Sequence, residues 1–276
     1  MLSNFRKKFI GDRLFYKNVL IMVVPMILQN LITNLVSLID NIMVGQIGTE
    51  QMNGVSIVNQ FIFVFNITVF GAVAGPGIFG AQFFGKGDSE GQKYTFRFRI
   101  IVVTLIIALG SVIFYLQDDM LINLYISEED AAEQIEATLR YGKEYMHIMI
   151  VGLIPFGIGQ AYASVVRECG ETKIPMIGSL SAVGVNIFLD YALIFGKFGF
   201  PEMGVRGAAT ATLIARICES VAMLAYIYIF SKEHPLKAKI SEMVCVEKEL
   251  FINVMKTAWP VICNEGLWAV SNAIVF

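Results

Sequence analysis

Seven polar residues share one face of the first long apolar segment. At about 100° per residue along an α-helix they fall within an arc of about 140°, and the opposite face consists of Leu, Ile and Val. They are Gln29, Asn30, Thr33, Asn34, Ser37, Asp40 and Asn41. Hydrogen bonds between helices would explain one or two such residues. Seven of them, with a carboxylate near one end, favour the wall of a lumen that admits a solute.

A second acidic residue lies in the fifth apolar segment. Asn186 and Asp190 are four residues apart, so they share one helical face. A carboxylate among apolar helices can take up a proton or a Na⁺ and release it when it becomes hydrated. A single such Asp is often a structural residue tied to a neighbouring helix. Two of them, in segments one and five, favour a coupling-ion site in which Asp40, Asn186 and Asp190 would hold a proton or Na⁺.

Other residues add to these candidates. Pro25 removes a backbone hydrogen bond from the first segment, so it is either a tolerated membrane proline or a hinge beside the lumen. Glu265 is a third acidic candidate, in the seventh segment. Arg216 and Glu219 are three residues apart and can form a structural ion pair. The sequence shows no nucleophile–base pair, metal cluster or phosphate loop, so we expect neither an enzyme nor a bound cofactor.

The elements that hold these residues must lie in lipid. Hydrophobic residues make up 56% of the 276 positions and charged residues 16%, whereas soluble domains carry about 25% charged residues. This composition excludes a disordered chain, a nucleic-acid-binding domain and a secreted disulfide scaffold. The four cysteines have no metal-ligand spacing. We therefore expect an all-α, polytopic membrane protein with the lipid bilayer as a partner and no nucleic acid.

Seven stretches reach the length of about 20 residues that a helix needs to cross a bilayer. The last stretch runs to the end of the sequence without a stop signal, so we expect the native chain to continue past Phe276. The seven stretches are roughly 19–44, 55–84, 98–116, 145–166, 175–195, 205–230 and 258–276.

Lysine and arginine residues indicate the orientation of the chain. Sixteen of them flank the side that includes the N-terminus, and four flank the other side. The sixteen include Arg97 and Arg99, which we assign to the connection between the second and third segments. This bias places the N-terminus of a multi-pass protein in the cytoplasm, with the spans in the plasma membrane, the inner membrane of the cell. The outer connection 117–147 carries eight acidic residues. We interpret it as a solvated helix, with attraction of cationic solutes as the alternative.

The seventh segment repeats a feature of the first. Pro25 is followed by polar residues at 29–30, and Pro260 is followed by polar residues at 264–265. Because six helices separate the two copies, both run in the same direction, as in transporters with parallel repeats. We predict an N-terminal six-helix lobe over 1–230, a cytoplasmic linker over 231–256, and the start of a second lobe over 257–276.

The chain resembles the multidrug and toxic compound extrusion (MATE) transporters from about residue 14 onward. The segments that carry the resemblance are Pro25 with 37–45, then 167–175, 186–196, 204–212 and 259–265. Each segment alone is weak, but their order and spacing together are specific. The resemblance implies a V-shaped protein of twelve helices in two lobes. Such proteins export organic, often cationic, compounds in exchange for Na⁺ or H⁺.

The resemblance also implies roles for single residues. Pro25 matches the bending proline of helix one, and Glu265 matches the acidic position of helix seven. Thr210 is the alternative match to the threonine of the cation site. Relatives often carry an asparagine in helix four, and 160–166 has none here, which leaves the fourth ligand open. The positions of the cation site are matched by Asp40, Asn186, Asp190 and Thr212.

We predict a secondary active exporter that moves small organic compounds, cationic or neutral, against Na⁺ or H⁺ by alternating access. The choice between the two ions stays open, and we expect a monomer at full length. The first alternative is a flippase for lipid-linked sugars with related architecture. Such flippases tend to have cationic lumens, whereas the intramembrane charge here is mostly acidic. The second alternative is an inactive half-transporter fragment.

Overall fold

The computed structural model describes residues 11–126, 131–230 and 248–275, and these ranges are helical with no strand. A π-helical turn, Tyr226–Phe230, follows the seventh helix. The helices are α1 (Arg13–Gly45), α2 (Thr49–Lys86), α3 (Ser89–Leu116), α4 (Asp118–Asn123), α5 (Ala132–Glu168), α6 (Lys173–Ile194), α7 (Val205–Ala225) and α8 (Lys248–Val275).

Among the described residues, six helices are long and apolar enough to cross a membrane: α1, α2, α3, α5, α6 and α7 with its π-helical turn. They contain the first six predicted segments, which confirms the all-α membrane fold. The helices α1, α2, α3 and α5 begin six or more residues before their segments because apolar composition marks only the lipid-embedded turns. The seventh segment lies in α8, which already begins at Lys248. Of the predicted linker, 248–256 is thus helical, and 231–247 lies outside the described residues.

Local sequence signals explain where the first three helices begin and end. The Oδ1 atom of Asp12 accepts the amide of Phe15 at 2.7 Å and caps α1. Asp88 caps α3 in the same way, by accepting the amide of Gly91 at 2.9 Å. Between α2 and α3, Gly87 has φ 70°, the left-handed conformation that ends a helix without a Cβ clash. These signals fix the tight reversal between α2 and α3.

The centre of the bundle is formed by α2 and α5. α2 packs against α3, α5 and α8, while α7 packs against α5 and α6. Small residues let the backbones approach closely. A Cβ on Gly54 would lie 2.7 Å from the amide nitrogen of Gly142, and one on Gly75 would lie 2.6 Å from Cα of Ala258. α1 differs from the other spanning helices because it lies at the rim, mainly against α6.

A buried ion pair links α3 to α5. Arg99 is fully buried, and its two terminal nitrogens donate to Ser164 Oγ at 3.0 Å and to Glu168 at 2.8 Å. α2 passes directly over the pair, since a Cβ on Gly77 would lie 2.9 Å from Glu168 Oε1. The glycines of α2 therefore make room for two charged side chains as well as for neighbouring helices.

This ion pair corrects the sequence analysis, which had assigned Arg97 and Arg99 to the connection between the second and third segments. Both side chains are buried in the bundle, at 8% and 0% exposure. A hydropathy profile places an arginine at the edge of a span because the profile contains no information about a partner on another helix. Without these two residues, the excess of basic residues on the predicted cytoplasmic side still stands.

The acidic connection between α3 and α5 is held by ion pairs and by a hydrogen bond between His147 and Asp118. Lys143 Nζ lies 2.5 Å from Asp119, and His147 Nε2 lies 3.1 Å from Asp118. Arg206, just inside α7, lies 3.2 Å from Glu144. The acidic residues 128–130 lie outside the described residues. The paired carboxylates support the interpretation of this connection as a solvated structural element.

A first prediction concerns the close contact of α2 with α5. Gly54→Ala forces a methyl group against the backbone of Gly142, so we expect a loss of about 1–3 kcal/mol in the free energy of unfolding. Gly184→Ala is the matched control, because nothing lies within 4 Å of its Cβ position. It should keep or slightly raise stability through helix propensity. Thermal unfolding in detergent measures both, and equal melting temperatures would contradict the contact.

A second prediction concerns the two ion pairs of α3. Arg99→Met leaves Glu168 buried without its partner and should cost about 3–5 kcal/mol of stability. Lys93→Met breaks the exposed pair with Glu90 and should cost less than about 1 kcal/mol. Adding Glu168→Gln to Arg99→Met removes the stranded charge and should restore much of the loss. Denaturation in mixed micelles compares the three variants, and similar midpoints would rule out a stabilising role for the buried pair.

Candidate functional site

A cavity of about 660 Å³ opens between α1, α2, α5, α6 and α7. This volume lies within the range of sites for small organic molecules. α1 contributes Asn34, Ser37, Asp40 and Asn41 to its wall, so the C-terminal half of the polar stripe faces the cavity. Four of the seven residues of the predicted stripe thus line a cavity, while its use as a lumen for a solute stays a prediction.

Asp40 of α1 and Asp190 of α6 face each other in this cavity. Asp190 has 0% exposure, and Asp40 is half-buried. Among the described residues, no hydrogen-bond donor satisfies Oδ1 of Asp40 or either carboxylate oxygen of Asp190. Two neighbouring carboxylates cannot both stay charged away from water without a cation or a proton between them. The pair is therefore chemically suited to bind one monovalent cation.

Asn186 and Thr212 lie near this pair in different ways. Asn186 is one helical turn before Asp190, has 5% exposure, and its Nδ2 has no hydrogen-bond partner among the described residues. It is not among the residues that line the cavity, whereas Thr212 is. Thr210 donates its hydroxyl to the carbonyl of Arg206 at 2.7 Å. Of the two threonine registers, the structure brings Thr212 to the cavity.

The rest of the polar stripe lies away from the cavity. Gln29 Nε2 donates to Ser179 Oγ at 2.6 Å, and Ser179 donates to Glu219, so these three side chains link α1, α6 and α7. Thr33 donates to the carbonyl of Gln29 at 3.0 Å, and Asn30 is exposed. In this half of the stripe, Gln29 therefore links α1 to the bundle.

Pro25 and Glu265 are also outside the polar cavity. Pro25 is buried within the continuous helix α1, one turn before Gln29. Glu265 of α8 packs against α2, where a Cβ on Gly71 would lie 3.1 Å from its Cβ atom. Glu265 is half-buried but does not line the cavity. The structure thus separates both residues from the pair formed by Asp40 and Asp190.

The sequence analysis missed the polar wall that α2 contributes. Ser56, Asn59, Gln60 and Asn66 line the cavity from this helix. Asn59 Oδ1 accepts the hydroxyl of Tyr145 at 3.1 Å, which also connects α2 to α5. Their spacing places all four on one helical face. The same periodicity test that found the stripe of α1 would have found them.

The predicted ion pair between Arg216 and Glu219 is wrong. No ion pair joins them in the described part of the chain, because Glu219 faces Ser179 of α6 instead. Arg216 lines the cavity, donates to the carbonyl of Gly152 at 3.3 Å, and lies 5.0 Å over the ring of Phe156. The cavity therefore holds a guanidinium group together with two carboxylates.

Known proteins are similar to most of this chain. The MatE family model matches residues 25–192. The probable multidrug resistance protein NorM of Thermotoga maritima is 33% identical over 224 residues, covering 79% of this chain and 45% of that protein. The probable multidrug resistance protein YoeA of Bacillus subtilis is 26% identical over 269 residues, covering 94% and 55%. This chain thus spans about half the length of the curated relatives it matches.

Solved structures share the fold. An outward-facing multidrug resistance MATE family transporter of the MOP superfamily has a TM-score of 0.77 at 18% identity, covering 90% of this chain and 52% of that one. A MOP superfamily transporter from Pyrococcus furiosus has a TM-score of 0.76 at 19% identity, with the same coverage. The match to the family model extends from the proline of α1 past the buried carboxylate of α6. The chain belongs to the MatE family, the multidrug and toxic compound extrusion transporters.

Proposed function

We propose that this chain forms the ion-coupling lobe of a secondary active exporter, which antiports small organic compounds against Na⁺ or H⁺. The observation that carries the proposal is the pair of facing carboxylates, Asp40 and Asp190, with buried and unsatisfied oxygens in a cavity of about 660 Å³. A site of this kind favours a cation from solution because no residue of the described chain forms an ion pair with either carboxylate.

Charge competition supplies the coupling. A proton or a Na⁺ bound between the carboxylates removes negative charge from the cavity wall, so a cationic compound in the same cavity is bound less tightly. The effect is reciprocal, since each ligand must weaken the other by the same factor. Exchange of one for the other across the membrane is antiport. The oxygen donors of two carboxylates, with Asn186 and Thr212 nearby, suit Na⁺ and a proton alike.

The position of the cavity suggests the side from which the ion arrives. Asp40 is close to the C-terminal end of α1, and the lining residues of α2, from Val55 onward, belong to its N-terminal half. With the N-terminus in the cytoplasm, as the basic residues indicate, this half of the bundle is the outer one. The proposed ion site is then open to the outside of the cell, where Na⁺ and protons are abundant.

The second candidate function, a flippase for lipid-linked sugars, is favoured by one observation. Arg216 contributes a cation to the cavity that could face a phosphate group. The two carboxylates outnumber it, so the cavity favours cationic over anionic ligands. Accumulation of lipid-linked oligosaccharide in a strain that lacks the gene would support the flippase and contradict the exporter.

The central prediction of the proposal is that Asp190→Asn abolishes coupled export. Asparagine has nearly the same volume but cannot exchange a proton or balance the charge of Na⁺, so dye efflux driven by either gradient should fall by about tenfold or more. The assay uses everted vesicles from cells that express the native gene, with Na⁺ and pH gradients imposed separately. The gradient that drives efflux in the unmodified protein identifies the ion.

Glu219→Gln is the matched control for this experiment. Glu219 is also acidic and lies in a spanning helix, but it accepts a hydrogen bond from Ser179 away from the cavity, and glutamine can accept the same bond. This variant should keep efflux and melting temperature. Normal efflux by Asp190→Asn, at unchanged melting temperature, would overturn the assignment of the ion site.

A further prediction separates the two threonines. Thr212→Val removes a hydroxyl that lines the cavity, so the Na⁺ concentration or the proton concentration at half-maximal efflux should rise about tenfold, equivalent to roughly 1–1.5 kcal/mol. Thr210→Val removes a hydroxyl that already bonds to a backbone carbonyl and should leave that concentration unchanged. The reverse result would place Thr210 in the site.

A further inference from the structure

A second cavity, of about 680 Å³, opens between the first turns of α1 and the start of α6. It shares no lining residue with the cavity that holds Asp40. The residues that α1 contributes follow the spacing i, i+3, i+4, i+7, i+8 and i+11 from Arg13, so they form one continuous helical face. The buried Pro25 closes this face at its inner end.

Polarity changes along this face in a single direction. Arg13 and Lys17 lie at the N-terminal end of α1 together with the aromatic ring of Tyr16. The next turns present Leu20, Ile21 and Val24, with side-chain exposures of 58%, 49% and 44%. Basic groups, then an aromatic ring, then aliphatic groups reproduce the order of a membrane from the headgroup layer to the hydrocarbon.

The cations of this cavity are available to a ligand. Lys173, at the start of α6, joins Arg13 and Lys17 in its wall. In the described part of the chain no carboxylate forms an ion pair with any of the three, whereas Lys93 pairs with one carboxylate and Lys143 with two. The amide groups at the start of α6 add positive potential, because the side chain of Thr172 does not cap them.

We propose that this second cavity binds one anionic phospholipid from the leaflet on the side predicted to be cytoplasmic. The phosphate group lies among Arg13, Lys17 and Lys173, and one acyl chain lies along the aliphatic face of α1. Three cations without an internal partner fit an anionic headgroup, and the exposed aliphatic face fits hydrocarbon. The proposal goes beyond the export function and does not depend on the coupling ion.

Native mass spectrometry of the detergent-solubilised chain tests the proposal. The protein is mixed with dioleoyl phosphatidylglycerol or with dioleoyl phosphatidylcholine, which share their acyl chains and differ in net charge. We expect one phosphatidylglycerol adduct that survives collisional activation longer than any phosphatidylcholine adduct, and a preference that falls as ionic strength rises. Inorganic phosphate alone should not displace the lipid. Equal retention of both lipids, displacement by phosphate, or occupancy by a second copy of the chain would overturn the proposal.

A triple variant, Arg13→Gln with Lys17→Gln and Lys173→Gln, tests the location of the site. Each charge near an anionic headgroup contributes about fivefold to binding, so the variant should lose the preference for phosphatidylglycerol almost completely. A matched triple variant neutralises Lys86, Lys93 and Lys256 on the same predicted side but outside the cavity and should keep the preference. Circular dichroism confirms that both variants are folded. A preserved preference in the first variant, or an equal loss in both, would contradict this location.

Discussion

Negative charge buried in an apolar bundle is the constraint on which the rest of this structure depends. The protein meets it in two ways. Glu168 is neutralised from within by Arg99, over glycines of α2 that leave room for both side chains. Asp40 and Asp190 face each other instead, and several of their oxygens have no hydrogen-bond partner in the described residues. The first arrangement is complete and stabilises the fold, while the second needs a cation from solution and is therefore suited to respond to one.

The helix that carries Asp40 has few neighbours among the described spanning helices. α1 lies at the rim and packs mainly on α6, which carries Asp190. Near its middle the hydrogen bonds from Gln29 to Ser179 and on to Glu219 attach α1 to α6 and α7, one turn beyond Pro25. Under the proposed function, a cation between the carboxylates relieves repulsion across the same α1–α6 contact. Ion occupancy and the packing of α1 are then linked by a single interface.

Much of this fold and the centre of its site follow from the sequence. Hydropathy located the six spanning helices, and helical periodicity placed Asp40 on the cavity wall, because both depend on near neighbours along the chain. The errors concern partners on other helices. Arg99 was placed in a connection because its partner Glu168 is distant in sequence. Arg216 was paired with Glu219, whereas Glu219 accepts a hydrogen bond from Ser179 of α6. The polar face of α2 could have been predicted by the same periodicity, but it contains no charged residue and was not identified.

The location of Arg216 bears on how a single ion could control the cavity. Its guanidinium group is held by the carbonyl of Gly152 and the ring of Phe156, so it lines the cavity without pairing with either aspartate. With both carboxylates ionised, the cavity wall carries one net negative charge, and one bound Na⁺ or proton brings it to neutrality. Without Arg216, the same ion would leave a negative cavity that still attracts a cationic compound. Under the proposed function, this arginine makes one monovalent ion sufficient to remove the attraction for a cationic substrate.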